Sequence, residues 1–305
     1  MATKLIYMGT PEYAKTILEG LLEDESFEVV LVLTQPDKPV GRKKVITPPP
    51  VKVLAQNSGV EVFQPVTLKD SAVVEKLKSL NPDFIVVAAY GQILPREILD
   101  TAPCINLHAS ILPKYRGASP IQEAILNGDR FTGVTAMMME EGLDSGDMLT
   151  FSFIEVGDLK LDELTKRLSD LAKELTLTTL KEFENLSPIP QTKALASYCK
   201  KIKKSDGKVT LNLPATEIYR RFRAFYNWPQ ITLDGRLKLL DIEVESDESL
   251  EQRVGEILAI EMESIIVATA RGSIKIHTLQ PQGKKAMSAK SYLAGRRLKV
   301  GDTLL

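Results

Sequence analysis

The chain has 305 residues, 44% of them hydrophobic and 26% charged, with a formal net charge of −1. This is an ordinary globular composition, long enough for two domains with a sizeable core. No apolar run approaches the roughly 20 residues that a membrane-spanning helix needs, and two distant cysteines, Cys104 and Cys199, supply neither a disulfide framework nor a zinc site.

The chain opens almost directly on an apolar run, LIYMG, read as a strand with no secretory or transit segment before it. A reduced, cytoplasmic protein is therefore expected. Pro11 to Leu22 follows as a helix, with proline near its first turn. The turn between them, Gly9-Thr10-Pro11, lacks the three-glycine dinucleotide fingerprint, which argues against a nicotinamide cofactor. VVLVLT, FIVVAAY, CINLHA and VTAMMM are further strands, and such runs suit a parallel sheet covered on both faces. Ser119-Pro120-Ile121-Gln122 has the pattern of a capping box opening a helix. The first part thus reads as a doubly wound, mostly parallel α/β fold, with its site expected at the carboxyl ends of the strands.

Between the second strand and the next helix lies Gln35 to Pro50, with five prolines, one glycine and four basic residues. A loop this long in a compact domain is either functional or a mobile linker.

Two polar clusters carry chemistry. Cys104-Ile105-Asn106-Leu107-His108-Ala109-Ser110 holds one of only two histidines. In a strand Asn106 and His108 point to the same side and Leu107 to the other. An amide donor beside an imidazole can hold a carbonyl oxygen as it gains charge. A lone histidine is more often a structural residue satisfied by a neighbour. The second cluster, Gly142-Leu143-Asp144-Ser145-Gly146-Asp147, alters that balance. Its glycines permit a tight turn from which Asp144 can project as the orienter of His108. With only one further carboxylate in the motif, a cation would find few ligands, and no metal is expected. Cys104 lies in the apolar part of its strand and is read as a packing residue, not a nucleophile.

A helix from Leu161 to Phe183 closes the first part. Beyond it the charge balance reverses. Through Pro190 there are 19 Lys+Arg and 27 Asp+Glu, and from Gln191 on there are 20 and 13. A basic segment joined to an acidic domain suits a polyanionic partner, against the plainer reading of a solvated surface. Lys200, Lys201, Lys203 and Lys204 cluster in a segment read as a linker. The expected division is 1–189, a linker at 190–208, and 209–305. The last part starts with a helix, Thr216 to Phe225, whose Arg220, Arg221 and Arg223 add positive charge. Four strand patterns follow, and roughly five short strands suggest a small OB-like β-barrel, a frequent nucleic-acid platform. His277 is read as an exposed strand residue, and Trp228 as an anchor packing the domain.

Asn106 to Pro113 followed by Lys114-Tyr115-Arg116-Gly117-Ala118-Ser119-Pro120-Ile121-Gln122, and then GLDSGDM, strongly resembles the folate-dependent formyltransferases. MGTPEYA, TQPDKPVGRKK, TPPPVKVLA and AAYGQILP extend the likeness, and FRAFYNWP and SYLAGRRLKVGDTL carry it weakly into the last third. Among that family the chain looks most like the members that formylate initiator methionyl-tRNA.

The resemblance implies the donor 10-formyltetrahydrofolate and the acceptor initiator methionyl-tRNA. It implies Asn106, His108 and Asp144 as the catalytic trio. Ser110, Ile111, Leu112 and Pro113, with Tyr90, Gly91 and Ile93, would frame the folate pocket. The long loop would approach the acceptor arm of the tRNA through Arg42, Lys43 and Lys44, with Lys203 and Lys204 as further tRNA contacts. No membrane and no obligate protein partner are implied. Small-amine or sugar formyltransferases, a formyl-folate hydrolase or dehydrogenase, and a non-catalytic RNA-binding protein stay open as alternatives. Who receives the formyl group would separate them.

Overall fold

The structure is a computed structural model that describes residues 2–41, 43–249 and 251–305. It divides into two compact units. The first comprises Met1–Pro120, Phe131–Glu155 and Leu164–Lys200; the second comprises Ile121–Arg130, Val156–Glu163 and Lys201–Leu305. Each unit therefore draws on non-contiguous pieces of the chain.

The first unit runs β1 (Thr3–Gly9), α1 (Glu12–Glu23), β2 (Phe27–Leu33), β3 (Lys38–Val40), β4 (Val45–Thr47), α2 (Pro50–Asn57), β5 (Val62–Phe63), α3 (Ser71–Ser79), β6 (Phe84–Ala88), α4 (Arg96–Leu99), β7 (Cys104–His108) and β8 (Arg116–Gly117). After α5 (Pro120–Asn127) come β9 (Phe131–Met138), β10 (Met148–Glu155), α6 (Leu161–Lys181) and β11 (Tyr198–Cys199).

Seven strands form one sheet in the order β10-β9-β7-β6-β1-β2-β5. The five from β7 to β5 are parallel, whereas β9 runs antiparallel to β7 and β10 antiparallel to β9. The chain starts in the middle, moves out through β2 and β5, and returns on the other side of β1 as β6. In open α/β sheets, ligands bind at such a reversal, outside the carboxyl ends of the strands.

The inner strands are apolar because both faces are covered: every residue of β7 is buried, as are Leu5 to Gly9 of β1. β10 alternates instead, leaving Phe151 and Phe153 exposed on the edge strand. α1 opens behind Pro11 and buries Tyr13, Ala14, Ile17, Leu18 and Leu21, the spacing of one helical face.

The proline-rich stretch is not an unstructured loop. β3 and β4 pair antiparallel, Lys38 with Thr47 and Val40 with Val45, into a short exposed hairpin. Its base is fixed by Asp37, which accepts from Gln64 at 2.8 Å and pairs with Lys52 at 2.8 Å. Those two partners hold the Asp37 carboxyl below the usual carboxylate range. Periodicity could not show this hairpin because proline occupies a paired position and no face is buried.

The second unit contains α7 (Ala215–Ala224), α8 (Ala289–Arg296) and the strands β12 (Lys208–Val209), β13 (Thr232–Leu233), β14 (Leu237–Ser246), β15 (Ile257–Ile260), β16 (Ile265–Ala268), β17 (Ser273–Pro281) and β18 (Met287–Ser288). The strand order is β12-β13-β14-β17-β16-β15, with β18 beside β17. All pairs but β12 with β13 are antiparallel. Register shifts bend the long β14–β17 pair three times, the means by which a small sheet curls round its core. Ile218, Phe222, Leu239, Ile242, Ile274 and Ile276 fill that core.

Two expectations for this unit fail. Arg223 does not add surface charge: it is 5% exposed and donates to the Gly157 carbonyl at 2.5 Å. Burial lowers its guanidinium pKa. It adjoins Phe222 on the inward side of α7, a side that composition alone does not reveal. Trp228 is no packing anchor, being 54% exposed in the turn after α7. The core there is already closed by Phe222 and Phe225. His277 is partly exposed and reaches Glu243 at 3.1 Å.

Candidate active site

β7 ends at the carboxyl edge of the sheet, and its alternation places Asn106 and His108 on one side. Both are buried. The turn between β9 and β10 brings Asp144 to them. Asn106 Nδ2 lies 3.4 Å from Asp144 Oδ1, and His108 Nδ1 lies 3.7 Å from Asp144 Oδ2. Residues 38 positions apart in sequence thus share one pocket of polar atoms.

The imidazole is fixed from its far side. Its Nε2 is 2.9 Å from the Tyr115 carbonyl. A carbonyl only accepts, so Nε2 carries a proton and Nδ1 is the nitrogen turned toward Asp144. The Tyr115 carbonyl thus orients the ring from the side opposite Asp144. The 3.7 Å separation is an ion-pair distance rather than a hydrogen bond when the ring is charged. Asp144 itself is held by the backbone: the Gly117 N–H donates to Oδ2 at 2.8 Å.

The acidic turn is tightly built. Asp144 has φ of 46°, the left-handed region that costs a non-glycine residue about 1–2 kcal/mol. A Cβ on Gly146 would lie 2.0 Å from the Met138 carbonyl oxygen, so only glycine lets the turn approach β9. Asp147 accepts from the Met138 N–H at 2.8 Å through its carbonyl.

The loop after β7 is equally specified. Ser110 is fully buried, and its Oγ donates to the Lys114 carbonyl at 2.6 Å. Thr135 on β9 ties it down, donating to the Ser110 carbonyl at 2.7 Å and accepting from the Leu112 N–H at 3.1 Å. Leu112 is buried, and its bond to Pro113 is cis. Ile111 lies over Gly133, where a Cβ would sit 2.5 Å from its Cδ1.

Tyr90, just beyond β6, has a buried hydroxyl with no hydrogen-bond partner among the described residues, and burial pushes its pKa up to about 12. Its carbonyl accepts from Thr10 Oγ1 at 3.1 Å, across the reversal between β1 and β6. Gly91, with φ of 87°, faces open space. Ile93 is 77% exposed, so it lines no closed cavity.

Several residues around this site carried no sequence signal. Gln191 donates to the Asp144 carbonyl at 3.0 Å and the Gly146 carbonyl at 2.7 Å, and accepts from Arg116 Nε at 3.0 Å and Nη2 at 2.7 Å. Ser197 Oγ accepts from the Tyr115 N–H at 2.9 Å. Cys104 is buried, and desolvation pushes its thiol up to about 12, as suits a packing residue.

The basic residues divide. Arg42 lies outside the described residues. Lys43 and Lys44 are exposed at the hairpin turn, and Lys200, Lys201, Lys203 and Lys204 are all exposed. Among the described residues no helix is long and apolar enough to cross a membrane, and no group of three or more His, Cys, Asp or Glu is placed to hold a metal.

Comparison with known proteins fits this geometry. The Formyl transferase family profile matches residues 3–180, and the profile for the Formyl transferase C-terminal domain matches 201–297. A methionyl-tRNA formyltransferase of a Nitratiruptor species is 57% identical over 304 residues, covering 98% of this chain and 99% of that one. One from a Sulfurovum species is 52% identical over 100% of both chains. Among solved structures, an N-formyltransferase from Helicobacter canadensis, in complex with folinic acid and dTDP-3-aminofucose, superposes with a TM-score of 0.69. It is 18% identical and the match covers 91% of this chain and 99% of that one, so it shows the shared fold. The chain belongs to the formyl transferase family, in the branch of the methionyl-tRNA formyltransferases.

Proposed function

We infer that this chain transfers the formyl group of 10-formyltetrahydrofolate to the α-amino group of initiator methionyl-tRNA. The relatives that match over its full length carry that name. The observation that carries the chemistry is the convergence of Asn106, His108 and Asp144 at the carboxyl end of β7.

The neutral amine attacks the formyl carbon, and the carbonyl oxygen takes up negative charge. The Asn106 amide and the protonated His108 ring, through the Nδ1–H that the Tyr115 carbonyl does not engage, stabilise that oxygen. The attacking nitrogen must lose a proton, and the leaving folate nitrogen must gain one. Asp144, with 14% of its side chain exposed, relays that proton through water. The new C–N bond forms first, giving a tetrahedral intermediate, and the bond to the folate nitrogen breaks as the oxyanion collapses back to a carbonyl, with no covalent enzyme intermediate.

Tyr90, Gly91 and Ser110 to Pro113 offer the folate a buried hydroxyl that no described residue bonds and a close backbone approach. Ile111 and Leu112 supply apolar contact, and Ile93 offers the ligand an exposed apolar side chain. Arg42, Lys43 and Lys44 meet the acceptor arm of the tRNA. Lys203 and Lys204, within the 190–208 segment that leads into the 209–305 domain, add phosphate contacts. The enzyme works in the cytoplasm, where its substrates are.

The test is direct. The protein is incubated with 10-formyltetrahydrofolate and either initiator methionyl-tRNA or small amines, and the formyl group is followed. Formylmethionyl-tRNA is the expected product. Formate in the presence of the tRNA, or formylation of the small amines alone, overturns the assignment.

A further inference from the structure

Residues 181–200 lie between the two stretches that the family profiles match. Part of that stretch is nonetheless bonded to the catalytic loops. Ile189 exchanges backbone hydrogen bonds with Met148, at 2.8 and 2.9 Å, at the start of β10. β11 lies parallel to β8, Tyr198 opposite Arg116 and Cys199 opposite Gly117. Between these attachments stands Gln191.

Its amide uses every principal direction. The nitrogen donates to the carbonyls of Asp144 and Gly146, and the oxygen accepts a two-pronged bond from Arg116. Arg116 is 5% exposed, so its charge is desolvated, and a bond to such a group is worth more than a neutral one. The residue gripped by the amide is the one with the left-handed backbone that aims a carboxylate at His108 and Asn106. A left-handed aspartate persists where the surroundings over-determine it. Gly117 holds the side chain of Asp144, and Gln191 holds its peptide.

We propose that Gln191 is a positioning residue for the formyl transfer. It sets the direction of the Asp144 carboxylate by clasping the carbonyls on either side of Ser145 and locking them to Arg116. It touches neither substrate. Its effect therefore falls on kcat and passes through Asp144.

This inference rests on the proposed function, so wild-type turnover is the control. No formylmethionyl-tRNA from the wild type removes that function. An active wild type with an equally active variant removes only the role of Gln191. Gln191→Ala deletes the clasp. Gln191→Glu keeps size and the Arg116 pairing but presents a carboxylate to two carbonyls. Both are measured at a temperature where circular dichroism shows them folded, and the isosteric Gln191→Glu decides alone if Gln191→Ala has melted. The expected result is a fall in kcat of about 10-fold or more, as expected for a displaced catalytic group, with KM for donor and tRNA within about twofold. In the Asp144→Asn background the same substitutions should cost less than about threefold, because residues acting as one unit do not add. A kcat within about twofold of wild type overturns the proposal. So does a loss that multiplies in full on Asp144→Asn, which would show a merely structural strap.

Discussion

The Gly117 N–H donates to Asp144 Oδ2 at 2.8 Å, and the same oxygen faces His108 Nδ1 at 3.7 Å. One carboxylate oxygen thus joins the backbone of β8 to the working side of the imidazole. The opening for this approach is narrow. Gly117 has φ of 121°, and a Cβ there would lie 2.3 Å from the Cys199 carbonyl oxygen.

Gly117→Ala should therefore damage fold and site together. Strain and the clash with β11 should lower stability by about 1–3 kcal/mol. Turnover should fall more steeply than stability explains, because Asp144 loses its fixed donor. Urea melts beside steady-state assays check this, and an alanine variant with wild-type melting and turnover would sink it.

The proposed trio of Asn106, His108 and Asp144 makes a sharper case. His108→Ala or Asn106→Ala should lower kcat by about 10²–10³, the usual loss for one donor to a developing oxyanion. Folate affinity, measured by fluorescence or calorimetry, should stay near wild type. Asp144→Asn should be at least as harmful, since it removes the charge that accepts the proton. Near-normal turnover by His108→Ala refutes the chemistry.

The exposed lysines call for a salt series. Replacing Lys43 and Lys44 by alanine should raise KM for tRNA and leave KM for the folate unchanged, and Arg42→Ala should do the same. Neutralising Lys200, Lys201, Lys203 and Lys204 together should flatten log affinity against log salt by about 0.7–0.9 for each phosphate no longer neutralised. Trp228, the single tryptophan and half exposed, offers an emission readout for those titrations. An unchanged slope removes the cluster from the interface.

Cys104 should be chemically silent. The thiolate is the reactive form, and burial pushes this thiol up to about 12. Up to about pH 9 the native protein should resist iodoacetamide at this position, as read by mass spectrometry, and Cys104→Ala should keep wild-type kcat. Rapid modification that parallels inactivation would restore a nucleophilic role.

The strands of the first unit were legible because a sheet covered on both faces demands unbroken apolar runs, as in β1 and β7. Asn106 and His108 were legible as a pair because strands alternate, and Asp144 because glycines bracket its turn. What holds the trio was not. Gln191 meets Asp144 across 47 positions, and Arg116 meets Gln191 across 75, and no local pattern reports such contacts. The excursions 121–130 and 156–163 into the second unit are too short to alter composition. The β3–β4 hairpin buries no face, so no alternation betrays it. For Arg223 and Trp228, residue type pointed one way and the crowding around α7 decided the other.

The hold on His108 comes from a main-chain oxygen, that of Tyr115, whose own φ is 59°. Every amino acid carries that oxygen, so replacing the side chain at 115 leaves the chemical group in place. Selection at this position can act on the imidazole only through the path of the chain. Glycine and asparagine, at ease in that conformation, would keep the path of the chain while emptying the buried space that the Tyr115 ring fills, and valine or isoleucine would misdirect the imidazole. A side-chain scan read by charge and hydrogen-bonding capacity alone would pass over one of the firmest supports of the site.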